Sequence, residues 1–198
     1  APLLALRVTY VGELGWDLII PTEFAATLYE QIKRAGADLG FRPTGMSSLS
    51  SMRLEKAYRD IGHDIDSQDN PLEAGLGFTV AWDKPGGFIG REPLLAKKEA
   101  GAPHSRLVQF LLSDPSLDLY GGEPLFCDGE HVGFMSVGAY GHTLGGAVGL
   151  GMVDRDRPIP AAEIAQGSFE VQVLGEKVPA KASLRPMFDP DRERPRTA

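Results

Sequence analysis

Four side chains able to do chemistry crowd the stretch "RVTYVGELGWDLIIP", residues 7–21: the phenol of Tyr10, the carboxylates of Glu13 and Asp17, and the indole of Trp16. The stretch reads as a strand, a glycine turn and a second strand, over residues 6–12 and 16–20. A plain hairpin needs only its glycines. Alternation along a strand lets Tyr10 and Asp17 project from one end of the hairpin. A carboxylate and a phenol held together there would suit a ligand that offers N–H donors. The plainer alternative makes Glu13 a solvated turn residue, Trp16 core and Tyr10 half-buried.

The second candidate is Arg53. The segment "MSSLSSMRLEKAYRDIG", residues 46–62, predicts a helix on which Leu49, Arg53 and Ala57 form one stripe, with Met46 and Ile61 beside it. An arginine in an apolar stripe is costly unless paired, so Arg53 meets either a buried carboxylate or an anionic ligand. Glu55 and Arg59 are four apart and read as a surface ion pair. Glu73 either caps a turn or points into a cleft.

Other constellations carry less. "HDIDSQDNPLEAG" bunches His63, Asp64, Asp66 and Asp69 but lacks the glycine of a calcium loop, and nothing is spaced for zinc. The glycine-rich "GGAVGLG", residues 145–151, is followed by no helix that could bind an anion, so its glycines read as bends in barrel strands. No serine sits in a nucleophile elbow. The four histidines are scattered, three of them beside turns.

These residues must be positioned by two halves. Up to about residue 100, helices over 21–36, 46–62 and 88–101 alternate with strands, including a strand expected in "EAGLGFTVAW". From His104 onward, short strand-like runs are separated by Gly, Asp and Pro signals, the mark of an antiparallel barrel or sandwich. The reading is therefore α+β: an α/β portion over residues 1–100, a β-barrel over 101–189, and a solvated, flexible tail over 190–198. The net charge of −7 excludes a nucleic-acid surface. The single cysteine, Cys127, excludes a disulfide framework and fits a reducing, cytoplasmic setting. No apolar run approaches membrane-span length, and no signal peptide is visible. The chain starts without Met and enters a strand almost at once, which suggests a piece of a longer polypeptide.

Three stretches in register, "YVGELGWDLIIP", "SSMRLEKAYRDIGHDID" and "NPLEAGLGFTVAW" followed by "FIGREPL", resemble the folate-binding aminomethyltransferase family, whose parent is the T-protein of the glycine cleavage system. The forms "YVGELGW" and "RLEKAYR" look most like the C-terminal region of flavin-dependent dimethylglycine and sarcosine dehydrogenases. The resemblance implies the later part of a three-domain cloverleaf around a folate cavity. It implies that Tyr10 and Asp17 face the folate, with Asp17 standing where the family usually has Glu. It extends the folate-binding set to Glu13, Arg53, Phe78 (in place of a common Trp) and Tyr140. Leu49 replaces an arginine of T-proteins. The catalytic aspartate belongs to the family's N-terminal portion, outside this sequence, so the chain alone is expected neither to complete the tetrahydrofolate site nor to catalyse. FAD and an N-methylated amine substrate are expected of an upstream domain. The alternative is a stand-alone aminomethyltransferase or folate-dependent demethylase, the former with a lipoyl carrier protein as partner. Relatives in iron–sulfur maintenance carry a cysteine motif that is absent from "DSQDNPLEAG".

Overall fold

The computed structural model describes residues 2–197. Two short strands, β1 (Leu4–Leu6) and β2 (Asp17–Ile19), pair antiparallel with Leu6 opposite Asp17. Between them lies a ten-residue loop rather than the tight turn expected from sequence. The loop is shaped by a tertiary contact: Gly12 takes φ +70° and packs on the buried Lys56, whose Nζ donates to the Gly12 carbonyl. Helix α1 (Ala25–Ala35) follows a single 3-10 turn, and Gly36 caps it as expected.

Helix α2 (Met46–Glu55) stops seven residues short of its sequence expectation. Ala57 adopts φ +52°, a left-handed conformation unfavourable for a residue with a Cβ. The chain there turns into a compact loop through residues 58–76. The strand expected in "EAGLGFTVAW" is absent. Gly75 takes φ +67° and residues Gly77–Thr79 form a 3-10 turn, because the segment wraps around Arg59 instead of pairing with a strand. Helix α3 (Arg91–Glu99) closes this half.

All six barrel strands expected from the sequence form: β3 (Ser105–Leu112), β4 (Pro124–Cys127), β5 (Glu130–Gly141), β6 (Gly146–Asp154), β7 (Phe169–Val173) and β8 (Glu176–Ser183). They close in the order β3-β6-β5-β4-β7-β8 with every neighbour antiparallel. Asp128-Gly129 makes the two-residue hairpin turn signalled by its sequence, both residues at positive φ. The short helix α4 (Ala161–Gln166), not read from sequence, places Ile164 beside Ile159 in the barrel core.

Strand period explains how the halves join. On β3, Val108, Phe110 and Leu112 fill the barrel. Leu107 and Leu111 point outward and pack with Leu54 and Ala57 at the end of α2. Strand β6 is likewise covered on both faces, which is why "AVGLG" reads as a continuous apolar run. Its glycines are required by proximity: a Cβ on Gly149 would lie 2.3 Å from the Val137 carbonyl oxygen.

Polar groups seal the same seam. The fully buried Gln109 amide donates to the carbonyls of Leu54 and Glu55, while its oxygen accepts from the Met187 N–H. Glu55 is buried too, and its carboxylate accepts from the N–H groups of Thr143 and Leu144 in the β5–β6 turn. The surface pair expected between Glu55 and Arg59 therefore does not form. Glu55 faces the barrel, and the break at Ala57 carries Arg59 away from it.

Candidate functional site

At this seam lies a cavity of about 590 Å³. Three segments wall it: Thr9 and Tyr10 from the β1–β2 loop, Lys56 to Ile65 after α2 together with Leu76 and Phe78, and Leu184 to Arg192 beyond the barrel. Of the six residues expected at a folate site, Tyr10 and Phe78 line this cavity. The Tyr10 phenol is pushed up to about 12, first by burial and then by a hydrogen bond with Asp60. It is a neutral hydrogen-bonding group at physiological pH.

Arg53 lies beneath the wall. Its guanidinium sits 5.9 Å from the Tyr10 ring centroid and forms a two-point pair with Asp64, Nη2 to Oδ1 at 3.1 Å and Nη1 to Oδ2 at 2.5 Å. Nη1 also donates to the Tyr58 carbonyl at 2.9 Å. Both partners of the ion pair are buried. Of the two sequence readings, structural pairing describes its position: Arg53 ties the end of α2 to the 58–64 loop.

Glu13 accepts from the buried Lys56 Nζ at 2.5 Å and from Arg194 Nε at 2.7 Å. It is the clasp between the hairpin loop, the helix end and the chain terminus. Burial raises its pKa, but the hydrogen bonds from Lys56 and Arg194 outweigh that and hold it below the ordinary carboxylate value. The terminal segment read as a flexible tail supplies that Arg194 contact, and Pro195 accepts from Arg7.

Asp17 is exposed on β2 and does not line the cavity. The sequence argument that joined it to Tyr10 assumed a strand through residue 10, and no strand runs there. Tyr140 lies in a separate shallow depression with Met46, Ser50 and Tyr120. Its ring is 5.2 Å from that of His142, and its carbonyl accepts from Ser51. Glu73 takes the capping role, accepting from the Asn70 N–H at 3.3 Å and pairing with Lys97. Cys127 is buried, and burial beside Asp128 pushes its thiol up to about 11, where it is not a nucleophile.

Sequence reasoning passed over Arg59 and Arg192. Arg59 looked like half of a surface pair, and Arg192 like part of a solvated tail. The arginine density of "DPDRERPRTA" was the available signal. Arg59 Nε donates to the Ala74 carbonyl and Nη1 to the Ala57 carbonyl. Arg192 lies 4.4 Å from the Phe78 ring centroid, a cation–π contact.

A larger groove, about 760 Å³, runs between α3 and the 67–81 segment. The smaller cavity is the better candidate, because two tyrosines, a phenylalanine and four cationic side chains converge on it, whereas the groove has one aromatic ring, Phe88, and charges of both signs from Asp69, Lys84 and Lys97. Among the described residues no cluster suited to a metal ion occurs, and no helix is long and apolar enough to cross a membrane.

Comparison with known proteins places this geometry. Residues 1–84 match the GCVT N-terminal domain, and residues 106–189 match the glycine cleavage T-protein C-terminal barrel domain. The chain is 44% identical over 190 residues to 4-methylaminobutanoate oxidase (formaldehyde-forming) of Paenarthrobacter nicotinovorans, covering 96% of this chain and 22% of that protein. It is 36% identical to mitochondrial dimethylglycine dehydrogenase of Mus musculus, covering 94% of this chain and 21% of the relative. It is 38% identical to an aminomethyltransferase of Halothermothrix orenii, covering 90% and 49%. The crystal structure of aminomethyltransferase T from Bartonella henselae superposes with a TM-score of 0.79 at 22% identity, covering 94% of this chain and 50% of that one, a likeness of fold. The chain thus spans half or less of the length of these relatives. The two domain matches, in order along one chain, give the conclusion: this chain belongs to the glycine cleavage T-protein family of aminomethyltransferases.

Proposed function

We propose that this chain is the tetrahydrofolate-binding, one-carbon transfer region of a larger flavin-dependent enzyme that oxidises an N-methyl amine. The observation that carries this reading is the cavity at the seam. Its volume of about 590 Å³ and its aromatic and cationic lining, with no carboxylate in it, suit a planar ligand bearing anionic groups. The kinship to an oxidase and a dehydrogenase, of which this chain spans only 22% and 21% respectively, favours the fused form over a stand-alone transferase.

Tetrahydrofolate, when bound, accepts the one-carbon unit released as the amine is oxidised, and FAD belongs to a portion outside this chain. The residues of this chain supply position and electrostatics. Tyr10 and Phe78 would offer aromatic surface to a flat ligand. The neutral Tyr10 phenol, fixed by Asp60, orients a polar edge. Holding the acceptor in place removes the entropic cost of encounter. The isolated chain does not turn over, because the acid expected beside the reacting nitrogen is not among its residues. The single buried cysteine supports a cytoplasmic or otherwise reducing setting.

The mass and visible spectrum of the native polypeptide, isolated from its source, test this together with titration of 5-formyltetrahydrofolate. A polypeptide several times longer than 198 residues, yellow with flavin and binding the folate, is the expected result. A colourless polypeptide about twice this length that binds folate would sink the flavin reading and leave a stand-alone aminomethyltransferase. No folate binding would end both.

A further inference from the structure

The seam cavity is lined by four cations, and they are not equivalent. Lys56 is committed to Glu13, and Arg185 to Asp191 at 2.8 Å. Arg59 and Arg192 have no carboxylate partner among the described residues. Arg59 spends Nε and Nη1 on backbone carbonyls and keeps Nη2 free. Arg192 rests on the face of Phe78 with no acceptor for its guanidinium. The nearby acids are spent elsewhere. Asp64 holds Arg53, and Asp60 holds Tyr10 and His63. Two guanidiniums without a carboxylate partner of their own on one cavity leave N–H donors available to an anionic ligand. Burial presses against the charge on Arg59, the nearby Asp64 carboxylate offsets part of that, and Arg192 adds a smaller repulsion.

We infer that Arg59 and Arg192 form a carboxylate subsite, which seats the acidic end of the ligand against the chain's C-terminal segment while Tyr10 takes its ring end. The inference deepens the folate reading and rests on it for the ligand's identity. It gives the last residues a role: the segment 184–194 is a wall of the site, held by Gln109 to the Met187 N–H, by the Glu55 carbonyl to the Phe188 N–H, and by Glu13 to Arg194. A guanidinium facing a carboxylate offers paired N–H donors in a fixed fork, so the subsite selects carboxylates over neutral amides.

The test uses the full-length polypeptide that carries this chain and three probes: 5-formyltetrahydrofolate, p-aminobenzoylglutamate (the acidic half), and 6-methyltetrahydropterin (the ring half, without carboxylates). Arg192→Met is the informative variant, since Arg192 is exposed and bears no structural side-chain hydrogen bond. Arg196→Met, an exposed tail arginine outside the cavity, is the control. Arg59→Lys serves as a second variant that keeps the charge but removes the free Nη2 donor, and it is expected to weaken the two carboxylate-bearing probes and not the pterin. The expected result is that Arg192→Met weakens both carboxylate-bearing probes by about tenfold or more, leaves the pterin unchanged, and is not mimicked by Arg196→Met. Equal loss for all three probes, or none, overturns the subsite. If 5-formyltetrahydrofolate binds and Arg192→Met does nothing, the folate reading survives and the subsite falls. If p-aminobenzoylglutamate binds through Arg192 while 5-formyltetrahydrofolate does not bind, the subsite stands and the folate reading falls. If no probe binds, both are wrong.

Discussion

The barrel and the first fifty residues are built on opposite terms. In the barrel, sixteen buried side chains form one cluster around Phe110, whose ring meets Phe169 edge-on at 5.4 Å. Among residues 2–50 only Gly12 is buried, and apolar side chains such as Leu4, Trp16 and Ile19 stand roughly half-exposed. A two-stranded ribbon with no face covered gains little from burial. The barrel is held by its own interior; the hairpin is held at a few polar points, chiefly Glu13 and the Lys56 contact. The cavity sits where these regimes meet. Its rigid wall is the α2 end welded to the barrel, and its adjustable walls are the hairpin loop and the C-terminal segment.

The contrast can be broken at measurable points. The largest effect is expected from Phe110→Ala, which should cost about 3–5 kcal/mol in denaturant unfolding by opening a hole in the barrel. A loss below 1 kcal/mol would mean that the barrel is not the stability core. Asp64→Asn should cost a comparable amount, about 3–5 kcal/mol, because it leaves the Arg53 charge buried without a counter-charge. If the melt of this variant is unchanged, the α2 end is not fixed by that pair.

A smaller effect, about 1 kcal/mol, is expected of Glu13→Gln, whose partner Arg194 is half-exposed. Its pH dependence has a definite sign. The folded-state pKa of Glu13 lies below the ordinary 4.5, so its contribution is complete above that value and is lost as pH falls through the folded pKa. Thermal melts of wild type and Glu13→Gln should therefore differ at pH 7 and converge as the pH falls below 4.5 and through the folded pKa. A gap that widens on acidification would contradict the clasp. The smallest effect belongs to Ile19→Ala on β2, expected within about 0.5 kcal/mol because the side chain is already largely in water. A large loss there would show that the ribbon is covered in solution.

The barrel half was legible because its signals are local. Two-residue alternation, the Asp-Gly turn and the spaced glycines each specify strands without outside help. The first half was legible only where helices are amphipathic, as in α1. The loop between β1 and β2 and the wrap around Arg59 escaped because a buried lysine and a buried arginine, both distant in sequence, dictate those backbone conformations. The site was half legible. Tyr10 and Phe78 were named and lie together. Asp17 and Tyr140 were named and lie apart from them: strand alternation had joined Asp17 to Tyr10 through residues that form no strand, and Tyr140 sits on β5 at a separate depression.

By itself, then, the sequence determined the family motifs, the barrel strands, the helix starts and the need for Arg53 to find a partner. Each follows from nearest-neighbour chemistry or from the cost of burying a charge. Only the tertiary structure decided that this partner is Asp64, that Glu13 clasps Lys56 and Arg194, and that Arg59 and Arg192 face one cavity. Those pairings join residues from 11 to 181 positions apart, and no local propensity encodes which distant charges will meet once the chain has closed.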